Sequence, residues 1–214
     1  MFYDCAEHPE PFVYKLMTAT VTPRPIAWVS TLSQDGVVNV APYSFFNVMG
    51  HEPPTVALGL LRDPAKGLKD TGENISATGE FVINLVPRDM ADQMNMTAVN
   101  APRGHSEAEI AGLATAPSRL IAPPRLAEAP VSFECRLLTA VLTGPKQMVV
   151  IGRVVAIHIA DRFLLDPARG YVDTPALDLV ARMHGGGWYR HGGEMFHMDR
   201  PVFDPAAAPP PRKD

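Results

Sequence analysis

Residues 22–47 read TPRPIAWVSTLSQDGVVNVAPYSFFN, and the fold turns on this stretch. Ile26, Trp28, Val29 and Thr31 are the β-branched and aromatic types that suit a pleated surface, so residues 24–32 read as a strand. Asp35-Gly36 is a two-residue hairpin signal, because a type I′ turn needs positive φ and glycine adopts it without a Cβ clash. Residues 37–43 run back as a second strand. Ser44, Phe45, Phe46 and Asn47 then place a hydroxyl, two rings and an amide side by side. A strand end carrying such groups suits a flat heteroaromatic ligand with polar edges. On pattern alone the plainer reading is favoured: a hairpin of any antiparallel barrel, with Ser44 and Asn47 capping a turn.

Outward from this hairpin, residues 12–17 are predicted as a short strand, with Pro9 and Pro11 keeping the preceding chain irregular. Residues 50–54 (GHEPP) are loop chemistry. Residues 55–61 (TVALGLL) form a near-continuous apolar run, which predicts a strand covered on both faces. A break at Arg62-Asp63-Pro64 leads into a predicted helix over 65–77, entered through Lys66-Gly67, with Leu68, Thr71 and Ile75 at helical spacing and Gly79 as the stop. Residues 80–86 make the next strand, ended by Pro87. Met90, Met94 and Met96 fall at near-helical offsets and read as core or interface filling. Residues 101–124 are a surface excursion with a short helix near 106–111. Residues 131–143 and 147–160 are two long strands linked by Gly144-Pro145-Lys146, hence an antiparallel pair. A helical turn at 177–183 and a glycine-rich loop with a short strand at 184–193 follow. The whole reads as a mainly β protein with α additions, a closed β-barrel.

With 214 residues, 46% of them hydrophobic, the chain can bury one substantial core. One domain over 1–203 is expected, followed by a Pro/Ala-rich tail at 204–214 (DPAAAPPPRKD). A net charge of −4 and a pI near 6.0 provide no footprint for nucleic acid. No apolar run is long enough for a membrane span, and the acidic start MFYDCAEHPEP lacks a signal-peptide pattern, so a cytoplasmic protein is expected. Cys5 and Cys135 are too few for a disulfide framework, and Cys135 lies mid-strand where burial would keep it inert. His184, His191 and His197 match no metal-ligand spacing, so no metal site is expected. Neither a GxGxxG strand-to-helix pattern nor a GxSxG elbow occurs.

The strings RPIAWVST, NVAPYSFFN, LKDTGENI and GEFVINLV, in that order, resemble the flavin reductase-like, FMN-binding split-barrel family, nearest to the branch that includes flavoredoxin. The resemblance implies a split β-barrel that holds FMN and forms a homodimer, with the methionines at 90, 94 and 96 available to cover the flavin of a second copy. It further implies reduction by NAD(P)H. The nicotinamide hydride goes directly to flavin N5, so stacking geometry governs and no catalytic side chain is obligatory. Free flavin or a partner oxygenase would be the acceptor. The alternatives are a flavoredoxin-like electron carrier fed by a protein partner and a ligand-binding barrel without turnover.

An FMN site makes three demands. The phosphate needs cationic or hydroxyl donors near a helix N-terminus, for which Arg62, Lys69, Thr71 and the amides of 66–71 are candidates. The resemblance places this contact on the LKDT segment, Asp70 included, with Asn74 beside it; from the residues alone the same segment is a solvated helix face with a Lys69/Glu73 pair. The ring needs walls, which Trp28, Val29, Pro42, Tyr43 and Phe45 can supply. Its polar edge needs hydrogen-bond partners, available from Ser30, Thr31, Ala41, Ser44 and Asn47. Arg182 with the glycines at 185–187 resembles the family's C-terminal Arg-Gly-Gly stretch near the flavin, although here three glycines precede Trp188, a candidate gate for nicotinamide. The Gly-Asp-His motif that short-chain flavin reductases often carry is replaced by Gly144-Pro145-Lys146-Gln147.

Overall fold

A helix stands where the first strand was predicted. In the computed structural model, which describes residues 1–65 and 67–202, α1 spans Glu10–Thr20. Pro11 sits in its first turn, where the missing N–H would lack a partner anyway. Thr18 and Thr20 turn their hydroxyls back onto the carbonyls of Tyr14 and Leu16, at 2.9 and 2.8 Å. Lys66, Phe203 and the expected proline-rich tail at 204–214 lie outside the described residues.

The first strands are β1 (Arg24–Pro25), β2 (Ala27–Leu32), β3 (Val38–Tyr43), β4 (Phe46–His51), β5 (Pro54–Asp63) and β6 (Gly67–Leu68). Next come α2 (Asp70–Thr78), β7 (Glu80–Asn84), α3 (Ala91–Met96) and α4 (Glu107–Ile110). The chain continues through β8 (Thr115–Ala116), β9 (Arg125–Leu126), β10 (Val131–Gly144) and β11 (Gln147–Ile159). It finishes with β12 (Leu164–Asp166), β13 (Tyr171–Val172), β14 (Val180–Arg182) and β15 (Tyr189–His191). The antiparallel pairing of the two long strands is as expected.

Several local expectations change. The β2–β3 connection is five residues rather than two, with Ser33 N–H bonding the Val37 carbonyl at 2.9 Å and the Ser33 hydroxyl accepting the Val37 amide at 3.0 Å. The helix begins at Asp70, because residues 67–68 pair with β5 instead. β5 is covered on one face only: Val56, Leu58 and Leu60 are buried, whereas Leu61 is exposed. The turn predicted at 177–183 contains β14, which pairs with both β1 and β15. Met90 and Met94 are buried in the protomer's own core, which removes them from any role in covering a second copy; Met96 is exposed.

The main sheet runs β3-β2-β7-β10-β11-β5-β4, with β6 on β5. Its two edge strands, β3 and β4, are consecutive in the chain. Ser44 and Phe45 therefore carry the backbone directly from one edge to the other, and the sheet curls into a barrel that is split at this corner. The β4–β5 ladder runs one residue into this corner, where the Gly59 N–H donates to the Phe45 carbonyl at 2.7 Å. Inside the barrel Val29, Leu58, Leu60, Phe81, Ile83, Met148 and Val150 pack with Ile75 of α2. Gly152 is required there, since a Cβ would collide with the Phe81 ring. A second core forms where Trp28, Val40, Val86, Met90, Met94 and Leu126 cluster outside β2 and β3.

Candidate functional site

The split is where polar and aromatic groups gather. Tyr43, Ser44, Phe45 and Phe46 are half-buried and Asn47 is exposed. Asn47 Oδ1 accepts the Val48 amide at 2.8 Å. Among the described residues, the Ser44 hydroxyl and Asn47 Nδ2 have no intramolecular partner, so both are free to bond a ligand. Pro42, on the edge strand β3, offers no N–H to be left unpaired.

Arg24 braces this corner from behind. It donates to the carbonyls of Thr18 and Val21 at 2.8 Å each and of Met183 at 2.7 Å, and its guanidinium lies 6.0 Å from the centre of the Phe45 ring. Burial lowers its pKa, Arg182 nearby adds to this, and Tyr14 opposes it. The sequence reading missed Arg24 as a site residue. Its signal was a cation set between two prolines at the entrance to a buried strand.

A buried polar network joins the split to α2. Asn39 is its hub: Oδ1 accepts the Thr71 hydroxyl at 2.7 Å and the Thr31 hydroxyl at 3.3 Å, while Nδ2 donates to Glu107 at 2.9 Å. Asn74 donates to Thr31 at 3.0 Å. Glu107 also accepts the Val40 amide at 3.1 Å, which satisfies an edge N–H of β3. Burial pushes the Tyr43 phenol up to about 12, a hydrogen bond with Thr71 pulls the other way, and the charges of Glu107 and Asp70 add to the rise. The Asn39–Thr71 bond thus ties β3, which leads into the split, to the first turn of α2.

The Lys69 N-cap offers no side-chain acceptor to the first-turn amides of α2, so the donor end of the helix is left for another acceptor. Lys69 is exposed there, its ammonium 3.1 Å from Asn100 Oδ1. Arg62 is half-buried and donates to the Pro145 carbonyl at 3.0 Å. Arg103 forms ion pairs with both Asp70 and Glu73 and so offsets one of their two charges. The donor set therefore fits a phosphate: an uncapped helix start, an exposed ammonium with donors to spare beyond Asn100, and acidic neighbours already paired with a cation.

Other expected site residues lie elsewhere. Trp28 and Val29 are fully buried in the two opposite cores, and the Trp28 indole donates to Thr97 at 2.8 Å, so their side chains cannot wall a bound ring. The Ser30 hydroxyl is committed to the Pro124 carbonyl at 2.6 Å and that of Thr31 to Asn39. β2 is thus the floor under the site. Ala41 and Pro42 remain on the half-buried edge strand. Arg182 is opposite Arg24 in register and stacks over Tyr189, 4.7 Å from its ring centre. Among the described residues, no cluster of His, Cys, Asp and Glu could hold a metal ion, and no helix is long and apolar enough to cross a membrane. Cys135 is buried, and burial followed by the charge of Glu134 pushes its thiol well up, which keeps it inert.

The flavin reductase-like domain family matches residues 18–175. An uncharacterised protein of Deinococcus radiodurans is 42% identical over 94% of this chain and 90% of its own length. Among solved structures, nitrilotriacetate monooxygenase component B from Bacillus cereus is 34% identical, with a TM-score of 0.87 over 92% of this chain and 98% of its own. The 2-nitrobenzoate 2-nitroreductase of Pseudomonas fluorescens is 30% identical, with a TM-score of 0.86 over 97% of this chain and 100% of its own.

Proposed function

The chain belongs to the flavin reductase-like family, a split-barrel fold, and on that premise we propose that it is an FMN-dependent reductase using NAD(P)H. The observation that carries this reading is the Thr71–Asn39 hydrogen bond of 2.7 Å, which ties the edge strand β3, at whose end the barrel opens, to the uncapped start of α2. In this reading ring-edge donors at the corner and a phosphate site at α2 serve one ligand. When bound, FMN supplies a two-electron acceptor that takes a hydride from the dihydronicotinamide.

The chain's own residues hold and orient. Lys69 and the first-turn amides of α2 take the phosphate, assisted by Arg62. Ser44 and Asn47 bond the polar edge of the ring. Phe45, steadied by Arg24, with Pro42 and Tyr43, makes the apolar wall. The Arg182–Trp188 segment flanks the face from which the nicotinamide approaches. No side chain has to move a proton at the reacting atoms. The neighbour that is one component of a monooxygenase supports a partner oxygenase as the acceptor of reduced flavin.

A homodimer is part of the proposal. Exposed apolar residues on β4, β5 and β10 support it. Anaerobic titration of the FMN-loaded protein with NADH or NADPH tests the central reading: the 450 nm flavin band, roughly where free flavin absorbs, should bleach in a single turnover. If neither nicotinamide bleaches it, the reductase reading falls and an electron carrier fed by a protein partner takes its place.

A further inference from the structure

Between α3 and the β14–β15 hairpin lies a groove of about 500 Å³, within the size range of small-molecule sites. Arg88, Asp92, Asn95, Trp188, Arg190 and His191 line it. Trp188 is 62% exposed, carried outward by a turn in which Gly186 and Gly187 have φ of 75° and 81°. Among the described residues, neither Arg88 nor Arg190 has a carboxylate partner.

Asp178 organises two of the three potential cations. Its carbonyl accepts the Arg88 amide at 3.0 Å and its carboxylate accepts His191 Nδ1–H at 2.9 Å, leaving Nε2 as the other polar atom of that ring. Asp178 has φ of 42°, in the left-handed region that non-glycine residues seldom adopt. Such strain persists where the surroundings over-determine it, and it concentrates at ligand clamps.

We propose that this groove binds the adenosine diphosphate half of a nicotinamide dinucleotide, an inference that rests on the reductase reading. Guanidinium groups match a pyrophosphate through paired N–H donors, and Arg88 and Arg190 have theirs unspent. Trp188 offers an open indole face for the purine. The Asn95 amide and the Asp92 carboxylate suit the purine edge and the ribose hydroxyls. The groove is also linked to the split. Tyr189 lines it and stacks under Arg182, Met183 N–H bonds the Trp188 carbonyl at 3.0 Å, and the Met183 carbonyl is held by Arg24, which backs Phe45.

Calorimetric titration of the FMN-loaded, full-length protein with ADP tests the site directly. ADP should bind, and Arg190→Ala and Arg88→Ala should each weaken it about tenfold or more, the effect of one lost charge-assisted hydrogen bond. Trp188→Ala should weaken it as well, and Trp188→Phe should restore most of the loss. In single-turnover reduction, Arg190→Ala should lower by about tenfold the preference for NADH over reduced nicotinamide mononucleotide, which lacks the adenylate half. Absence of ADP binding at millimolar concentration overturns the groove, as does an equal kinetic loss for both donors. ADP binding that depends on Arg88 and Arg190, in a protein that no nicotinamide bleaches, supports the groove as an adenylate site and sinks the reductase reading alone.

Discussion

The Thr71 hydroxyl donates to Asn39 Oδ1 at 2.7 Å in a fully enclosed setting, and this contact ties the first turn of α2 to the edge strand β3. Thr71→Val keeps the shape and removes the donor. Leaving a buried acceptor short of a partner costs about 1–3 kcal/mol. For a chain of 214 residues each kcal/mol lowers the melting temperature by about 2–4 °C. Thermal melts of Thr71→Val and Thr71→Ser separate the cases: the serine variant retains the hydroxyl and should recover most of the stability. A loss in the serine variant with none in the valine variant would mean that the methyl group, and so packing, is what matters.

Lys69 is one residue before α2 and exposed, so Lys69→Ala should leave the melting temperature almost unchanged. Its expected effect is on ligand. One charge-assisted hydrogen bond contributes roughly 1.5–3 kcal/mol, so FMN should bind about 10- to 100-fold more weakly while riboflavin is nearly indifferent. Fluorescence-quenching titrations with the two flavins report the difference. A loss shared equally by both would make Lys69 structural.

Glu134 is fully buried on β10 and accepts the amides of Arg119 and Leu120 at 2.7 Å each, with His158 against the same carboxylate. Burial alone would raise its pKa. The Arg119 amide, the His158 ring and the Leu120 amide outweigh it and hold the carboxyl below its ordinary value of 4.5. A folded-state pKa that is depressed means stabilisation fully present above the unfolded value and lost as pH falls through the folded one. Urea unfolding of wild type and Glu134→Gln should therefore differ most above about pH 5 and converge as pH drops below 4.5. Hydrogen exchange at the Arg119 and Leu120 amides should be faster in the variant at neutral pH. A stability gap that is flat from pH 7 to roughly pH 3 would remove the carboxylate's charge from the account.

How much of this was legible in the chain depends on the range of the interactions. The β10–β11 pair was readable because long β-branched runs flank a short Gly-Pro-Lys link, so register and partner are local. α1 was misread because Pro9 and Pro11 count as breakers until the helix is allowed to start on them. The apolar run of β5 suggested two covered faces, yet Ala57 and Gly59 are small enough for the outer face, and only Leu61 reveals the exposure. The site divided in the same way. The LKDT and YSFFN segments carry their chemistry in the string itself. The Asn39–Glu107 bond spans 68 positions and the Arg24–Met183 bond 159, and no local pattern marks either. Trp28 looked like a ring wall for want of the knowledge that Thr97 would take its indole N–H.

Assembly provides the last test. Val48, Met49, Leu61, Leu138, Val141 and Leu142 are each more than half exposed, and they sit on β4, β5 and β10, with β11 between the last two in the sheet. Isolated exposed apolar residues are ordinary, whereas this many on the β10-β11-β5-β4 side of one sheet supports a surface that another protein covers. A second copy is the commonest such partner, because a two-fold axis buries one patch against itself. Light scattering at micromolar concentration should give about twice the 23.2 kDa of the chain. Val141→Glu with Leu142→Glu should halve that mass with an unchanged far-ultraviolet spectrum, since both side chains are outside the core. Met96→Glu should leave the mass alone, because its neighbours Met90 and Met94 pack inward and offer no band to extend. A wild-type mass of one chain would overturn the dimer, and dissociation by Met96→Glu but not by the β10 pair would move the interface to α3.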